Sequence, residues 1–460
     1  MRRNVLAETE SVCPVCLRTV AAARVAEGDD VYLVKHCREH GEFRTIVWRG
    51  IESYRRWGER GSRAATPPVT ETQVKRGCPH DCGLCPDHRQ HSCCVLLEVT
   101  QRCNLRCPVC FATAGGEEDD PSLAEIEAWL HLLKAHGNTV NIQLSGGEPT
   151  VRDDLPAIIR MTRAEGFDFV QLNTNGIRLA RQPDYAQSLA EAGLDCVFLQ
   201  FDGVSNRSYE RIRGARLLKT KQQAIEHCAA AGLGVVLVPT LVPGVNVDEI
   251  GGIVEFALAR VPTVRAIHFQ PVSYFGRYPA APSDRDRITL PEVMQQLERQ
   301  TGGMIRAADF GPGSAENAYC SFAGKFFVGD DGRLSAAEPA SGCCSGSSGG
   351  CGCGVPGDDA QHARRVVAGQ WTAATTAQPI DIAGIKLDAF DAFLAKRRHT
   401  LSISGMAFQD AWNLDLERLR ECFIHVVSPD RRVIPFCAYN LTAASGEPLY
   451  RIVDHEFARA

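Results

Sequence analysis

The segment Cys103-Asn104-Leu105-Arg106-Cys107-Pro108-Val109-Cys110 limits what this chain can become more than any other stretch. Its C-x3-C-x2-C spacing follows directly on the apolar run Val95–Thr100, so three thiolates share one tight loop at the end of a predicted strand. A four-iron cluster normally takes four cysteines. Three cysteines leave one iron open, and an open metal position is where a substrate or cosubstrate binds. The plainer alternatives are a zinc loop or three buried thiols. Zinc sites usually pair C-x2-C with a distant second pair, and no fourth ligand follows this loop closely.

The segment resembles the cluster-binding loop of radical S-adenosylmethionine (SAM) enzymes. The resemblance implies that Cys103, Cys107 and Cys110 ligate a 4Fe-4S cluster whose open iron is chelated by the amino and carboxylate groups of SAM. It also implies that one electron from the cluster cleaves SAM to methionine and a 5′-deoxyadenosyl radical. A reductant such as flavodoxin or ferredoxin is the protein partner this chemistry calls for.

Bulk properties agree with such an enzyme. A chain of 460 residues has room for on the order of two to four domains. A net charge of −5 gives no electrostatic footprint for nucleic acid. Eight of the 20 cysteines fall in C-x2-C and C-x3-C-x2-C clusters, which indicates metal ligation in a reducing compartment rather than disulfides. Arg2 and Arg3 are not followed by an apolar stretch, so no signal peptide is expected. The longest apolar run, 233–242, contains Pro239 and is far below membrane-spanning length. A soluble, cytoplasmic protein is expected.

From Val95 onward apolar runs alternate with helical patterns. Strands are predicted at 95–100, 140–145, 167–173, 196–202, 233–240 and 264–270. A helix is predicted over 123–135, with Ser122 and Glu125 as a capping box and Gly137 at its end. Six such units imply a parallel sheet with right-handed crossovers. The fold class expected is α/β: a partial (βα)6 barrel with an N-terminal metal-knuckle module and a C-terminal α+β extension. The divisions expected are 1–65 for the knuckle, 66–93 for an auxiliary cluster segment, 94–275 for the barrel and 276–460 for the rest.

The strand ends carry the remaining site candidates. The second strand closes in Ser145-Gly146-Gly147-Glu148-Pro149, where two glycines permit close backbone approach and Glu148 adds a carboxylate. The radical SAM resemblance gives Gly146, Gly147 and Glu148 the amino group of SAM; an ordinary strand-to-helix turn is the alternative. Asn173 and Asn175 end the third strand with amides suited to ribose hydroxyls, although asparagine is also a common turn residue. Asp202 ends the fourth strand, and Gln270 lies where the family contacts adenine.

Further cysteines lie outside the barrel. Cys13-Pro14-Val15-Cys16 and Cys37-Arg38-Glu39-His40 form a C-x2-C…C-x2-H pattern that can close a mononuclear zinc or iron site. Cys78, Cys82 and Cys85 repeat the C-x3-C-x2-C spacing, and Cys93 is the expected fourth ligand of an auxiliary 4Fe-4S cluster, with zinc as the alternative. Cys320, Cys422 and Cys437 are candidates for one more cluster. The Gly/Cys-rich stretch 341–354 reads either as a functional thiol site or as a linker. Cys196 and Cys228 are expected in the core, and Trp48, Trp57 and Trp129 are expected to pack.

The order of these frames, ending in Ile434-Pro435-Phe436-Cys437-Ala438-Tyr439-Asn440, resembles the archaeal tetraether lipid synthase group and its bacterial relatives. That resemblance implies C–H activation on a hydrophobic lipid tail, with carbon–carbon coupling, and contact with a membrane surface. Three alternatives stand beside it: a pterin or small-molecule methylase, a peptide maturase, and a non-catalytic iron–sulfur electron carrier. The carrier does not account for Gly146, Gly147 and Glu148 accompanying the cysteine loop.

Overall fold

The computed structural model describes residues 4–59, 67, 69–115, 119–137, 140–313, 315–329, 332–337, 359–373 and 399–451. The stretch 341–354 lies outside them.

Four antiparallel strands, β1 (Asn4–Val12), β2 (Thr19–Glu27), β3 (Asp30–Cys37) and β4 (Gly41–Arg49), form a sheet of their own. Helix Ile51–Gly58 follows. Trp48 packs edge-on against Tyr54 and Tyr319 at 6.0 and 5.6 Å, and Trp57 Nε1 donates to Ala318 O at 2.7 Å. Both tryptophans serve packing, as the sequence suggests.

The six predicted barrel strands all form: β5 (Cys94–Thr100), β6 (Asn141–Gly146), β7 (Val170–Thr174), β8 (Cys196–Gln200), β9 (Gly234–Val238) and, after the short β10 (Thr240–Leu241), β11 (Val264–Pro271). Each lies parallel to the next. The helix over Leu123–Ala135 forms with both hydrogen bonds of the Ser122–Glu125 capping box. Gly137 follows it with φ +111°.

The C-terminal region extends this sheet. After β12 (Ser321–Val328) and β13 (Leu334–Ala336), β14 (Thr400–Met406) pairs parallel to β11. At the other side β15 (Ile424–Val427) pairs parallel to β5, and β16 (Val433–Pro435) turns back on it. The path runs β13-β12-β14-β11-β9-β8-β7-β6-β5-β15-β16, so the arc is open, as expected of a partial barrel.

Successive strand residues alternate between two environments, which is the period-2 consequence of the pleat. One face (Val95, Leu97, Val99, Ile142, Leu144, Val170, Leu172, Val197, Leu199, Val235, Leu237, Ile267) joins helix residues such as Ile126, Trp129, Leu130, Ile158, Leu189, Ile225 and Cys228 in one apolar core. The other face lines an interior cavity of about 420 Å³. Cys196 is fully buried beside Phe198 and Val236.

Candidate active site

The first strand delivers the cysteine loop, and the second and third strand ends hold it. Gly147 N donates to Thr100 O at 2.8 Å and Glu148 N to Arg102 O at 2.9 Å, tying the Gly-Gly-Glu turn to the root of the loop. A Cβ on Gly146 would overlap Thr100 O, and one on Gly147 would overlap Arg102 O. The two glycines are therefore required by the approach of two backbones. From the far side Arg277 exchanges backbone hydrogen bonds with Cys110, both 2.9 Å, and its Nε donates to Cys107 O at 2.9 Å. Gly276 beside it has φ +61°.

Cys103, Cys107 and Cys110 come together. Burial pushes the Cys103 thiol up to about 12, and the charges of Glu148, Cys107 and Cys110 add to the shift. Cys107 is raised by burial and by Cys110, against the neighbouring Arg213. Burial disfavours the thiolates of Cys103 and Cys107, and a cationic centre held by the loop would favour them. A 4Fe-4S cluster fits that donor set.

The predicted polar residues are engaged more fully than the sequence suggests. Glu148 is almost fully buried, and its Oε1 accepts from Thr150 N at 3.1 Å and from the hydroxyls of Thr150 and Thr174 at 2.6 Å each. Its Oε2 accepts from Asn175 N at 2.6 Å and keeps one lone pair. Asn175 Nδ2 donates to Asn104 Oδ1 at 2.7 Å, so this amide braces the cysteine loop. Asp202, at the end of the fourth strand, is fully buried in a bidentate pair with Arg213, 2.8 and 2.9 Å. Arg213 reaches Thr240 Oγ1 at 3.0 Å and Val109 O at 3.4 Å. Asn173 and Gln270 line the cavity, whose wall also includes Val109 and Phe111 on either side of Cys110.

Sequence reasoning missed Arg213, Gly276 and Arg277, which carry no motif. It also missed the amides facing the cavity: Asn141 and Gln143 on β6, and Gln171 beside Asn173 on β7. Their signal was present as the alternation Asn141-Ile142-Gln143-Leu144-Ser145, since parallel strands buried on both faces ordinarily read as continuous apolar runs.

Of the outlying cysteines, Cys13, Cys16 and Cys37 Sγ and a His40 ring nitrogen all lie within 4.8 Å of one another. His40 Nδ1 is 3.5 Å from Cys13 Sγ and 3.4 Å from Cys37 Sγ, a spacing that fits a single tetrahedral ion. Cys78, Cys82 and Cys85 line one small cavity together with Asp87 and His88. Cys93 does not line it: Cys93 sits at the root of β5, where its N–H donates to Phe423 O at 2.8 Å, and with Cys94 it lines the large cavity. Cys320, Cys422 and Cys437 lie close enough that burial, and then each other's charge, raises the Cys437 thiol well above its ordinary range. Arg418 Nε donates to Cys320 Sγ at 3.4 Å.

Comparison with known proteins decides the family. Residues 97–257 match the model of the radical SAM superfamily, and residues 5–49 that of the HMPTM N-terminal zinc ribbon domain. The 7,8-dihydro-6-hydroxymethylpterin dimethyltransferase of Methanocaldococcus jannaschii is 38% identical, over 94% of this chain and 93% of that protein. The chain belongs to the radical SAM superfamily, in the family of that enzyme. It is a radical SAM enzyme with an N-terminal zinc ribbon. A GTP 3′,8-cyclase of Chlorobaculum tepidum is 30% identical, over 52% of this chain and 76% of its own. Streptococcus suis SuiB, in its structure bound to precursor peptide SuiA, is 14% identical over 47% of this chain and 46% of its own, at a TM-score of 0.39. The relative spanning nearly the whole radical SAM chain is thus a pterin dimethyltransferase, where the cysteine frame implied a tetraether lipid synthase. The lipid-tail expectation gives way to the pterin-methylase alternative. No helix among the described residues is long and apolar enough to cross a membrane.

Proposed function

We propose that this radical SAM enzyme methylates a small, flat, nitrogen-rich heterocycle of the dihydropterin class. The observation that carries the reading is the 38% identity to a dihydropterin dimethyltransferase running through 94% of the chain. The cavity supports it. A volume of about 420 Å³ lies within the roughly 300–1,000 Å³ of small-molecule sites. Its largely apolar wall is broken by a few amides, the usual construction of a site that orients a compact polar ligand.

In this reading Cys103, Cys107 and Cys110 hold the SAM-binding 4Fe-4S cluster. Together with SAM, that cluster supplies the hydrogen-abstracting radical when bound. Gly146 and Gly147 give the loop its close fit, and Glu148 offers its remaining Oε2 lone pair to the SAM ammonium. Asn173 and Gln270 flank the nucleoside, Asn175 braces the cluster loop, and Asp202 orients Arg213 beside Cys107. Cys78, Cys82 and Cys85 hold an auxiliary cluster. Cys320, Cys422 and Cys437 hold another, and Cys13, Cys16, Cys37 and His40 hold zinc. The segments 1–65, 66–93, 94–275 and 276–460 then divide as zinc ribbon, auxiliary-cluster segment, barrel and C-terminal region. A flavodoxin or ferredoxin is the electron donor, and the cytoplasm the compartment.

The test is anaerobic turnover of the iron-reconstituted enzyme with SAM, reduced flavodoxin and 7,8-dihydro-6-hydroxymethylpterin, followed by mass spectrometry. A product heavier by one or two methyl groups is expected. Cleavage of SAM with no methylated pterin overturns the substrate assignment.

A further inference from the structure

Gln171 is 3% exposed and faces the cavity, yet its Oε1 has no hydrogen-bond partner among the described residues. Its orientation is fixed from the other end. Nε2 donates to Gln143 Oε1 at 2.7 Å and approaches Cys94 Sγ at 3.7 Å. Gln143 and Gln171 are register partners on β6 and β7, so the two amides stand side by side on the inner face. An acceptor buried without a donor is unfavourable, and folding retains one where a ligand completes it.

Beyond Gln171 the wall becomes aromatic. Phe198 on β8 lies 5.6 Å from His268 on β11 and 5.4 Å from Trp371, and the rings of His268 and Trp371 are 6.2 Å apart. His268 Nδ1 is 2.9 Å from Ser404 Oγ. A cavity lined by both aromatic rings and an unpaired carbonyl acceptor suits a planar molecule with an N–H or amino group at its edge. An alkyl tail would leave Oε1 unpaired, and sites with buried polar groups reject ligands that fail to pair them.

We propose that Gln171 is the specificity-determining residue that reads the N–H edge of a planar heterocyclic substrate, held in place by Gln143. This deepens the function proposed above and rests on it for the identity of the heterocycle. The experiment is equilibrium binding by isothermal titration calorimetry to the iron-reconstituted, SAM-loaded enzyme. The ligands are 6-hydroxymethylpterin, guanine and 1,3-dimethyllumazine, the last having its ring N–H groups methylated. Wild-type protein is expected to bind the first two in preference to the third. Gln171→Leu should weaken the two N–H ligands by about tenfold to a hundredfold and leave 1,3-dimethyllumazine unchanged. Gln171→Glu, which keeps an acceptor there, should keep the preference. Iron content and thermal midpoint matching wild type establish that each variant is folded. The inference is overturned if wild type shows no preference, or if Gln171→Leu retains it. If the preference depends on Gln171 but no pterin is methylated, the reaction assigned above falls while the edge reader stands.

Discussion

Glu148 shows how one side chain can be read from a motif and still be incomplete. The sequence offered it as a carboxylate for an ammonium group, and its position one strand after the cysteine loop was legible. Its four donors from Thr150, Thr174 and Asn175 were not, because they depend on how two strand ends meet in space. Glu148→Gln is therefore expected to lower the thermal midpoint as well as SAM affinity. The affinity loss should be roughly tenfold to a hundredfold, as for a charge-assisted hydrogen bond. Calorimetric binding beside thermal denaturation checks both, and unchanged affinity removes Glu148 from the SAM site. Asp202 likewise carries a partner with no local trace in the sequence, the buried Arg213. Breaking a buried pair strands the remaining charge, at a cost of about 3–5 kcal/mol. Asp202→Asn should show a loss approaching that size in urea denaturation, and a change below 1 kcal/mol would contradict the burial.

At the scale of elements, the helix over Leu123–Ala135 was legible because its caps and apolar spacing are local, and the six barrel strands because each is a short apolar run between turns. β14 and β15 were not placed in the arc, since pairing between β5 and β15 joins residues more than 300 positions apart and leaves no local trace. The amide alternation on β6 is local, but only the face each residue takes in the sheet distinguishes it from an apolar run. The clamp on the cysteine loop belongs to the non-local class. A Cβ on Gly276 would lie 2.5 Å from Cys110 O, 2.6 Å from Phe111 O and 2.7 Å from Thr113 Oγ1, at a φ that disfavours side chains. Gly276→Ala should displace the loop, and reconstituted protein should carry less iron at the first cluster. Quantitative iron analysis in a background lacking the auxiliary cysteines Cys78, Cys82, Cys85, Cys320, Cys422 and Cys437 measures it directly. Wild-type iron in that variant would show that the segment does not clamp the loop.

Across the whole molecule, the zinc ribbon is fastened to the C-terminal region through buried charge. Lys35 Nζ donates to Ser11 Oγ at 3.0 Å and Ala411 O at 2.7 Å, and Arg24 pairs with Asp415 at 2.7 Å. Elsewhere the buried His88 and His425 and the half-buried, cavity-lining His268 act on the acid side of stability. Burial lowers His88 and His268 to about 4, and it lowers His425 well below its ordinary value, with the His88 charge adding to the effect. An unfolded histidine binds its proton near pH 6.5, whereas His88 and His268 stay neutral in the fold until about pH 4 and His425 is likewise held neutral below the ordinary range. Between those values the unfolded chain binds more protons, so stability rises with pH and is lost as pH falls through the window. Burial raises the carboxyl pKa of Glu316 and Asp195, which act in the opposite sense from their lower ordinary values. Nearer neutrality the histidines act in the same sense as Lys35, which burial lowers to about 7. The thermal midpoint should be lower at pH 5.5 than at pH 7.5, and His268→Gln should flatten that dependence by up to one proton. A midpoint that is unchanged or higher at pH 5.5 would show that these rings are protonated within the fold.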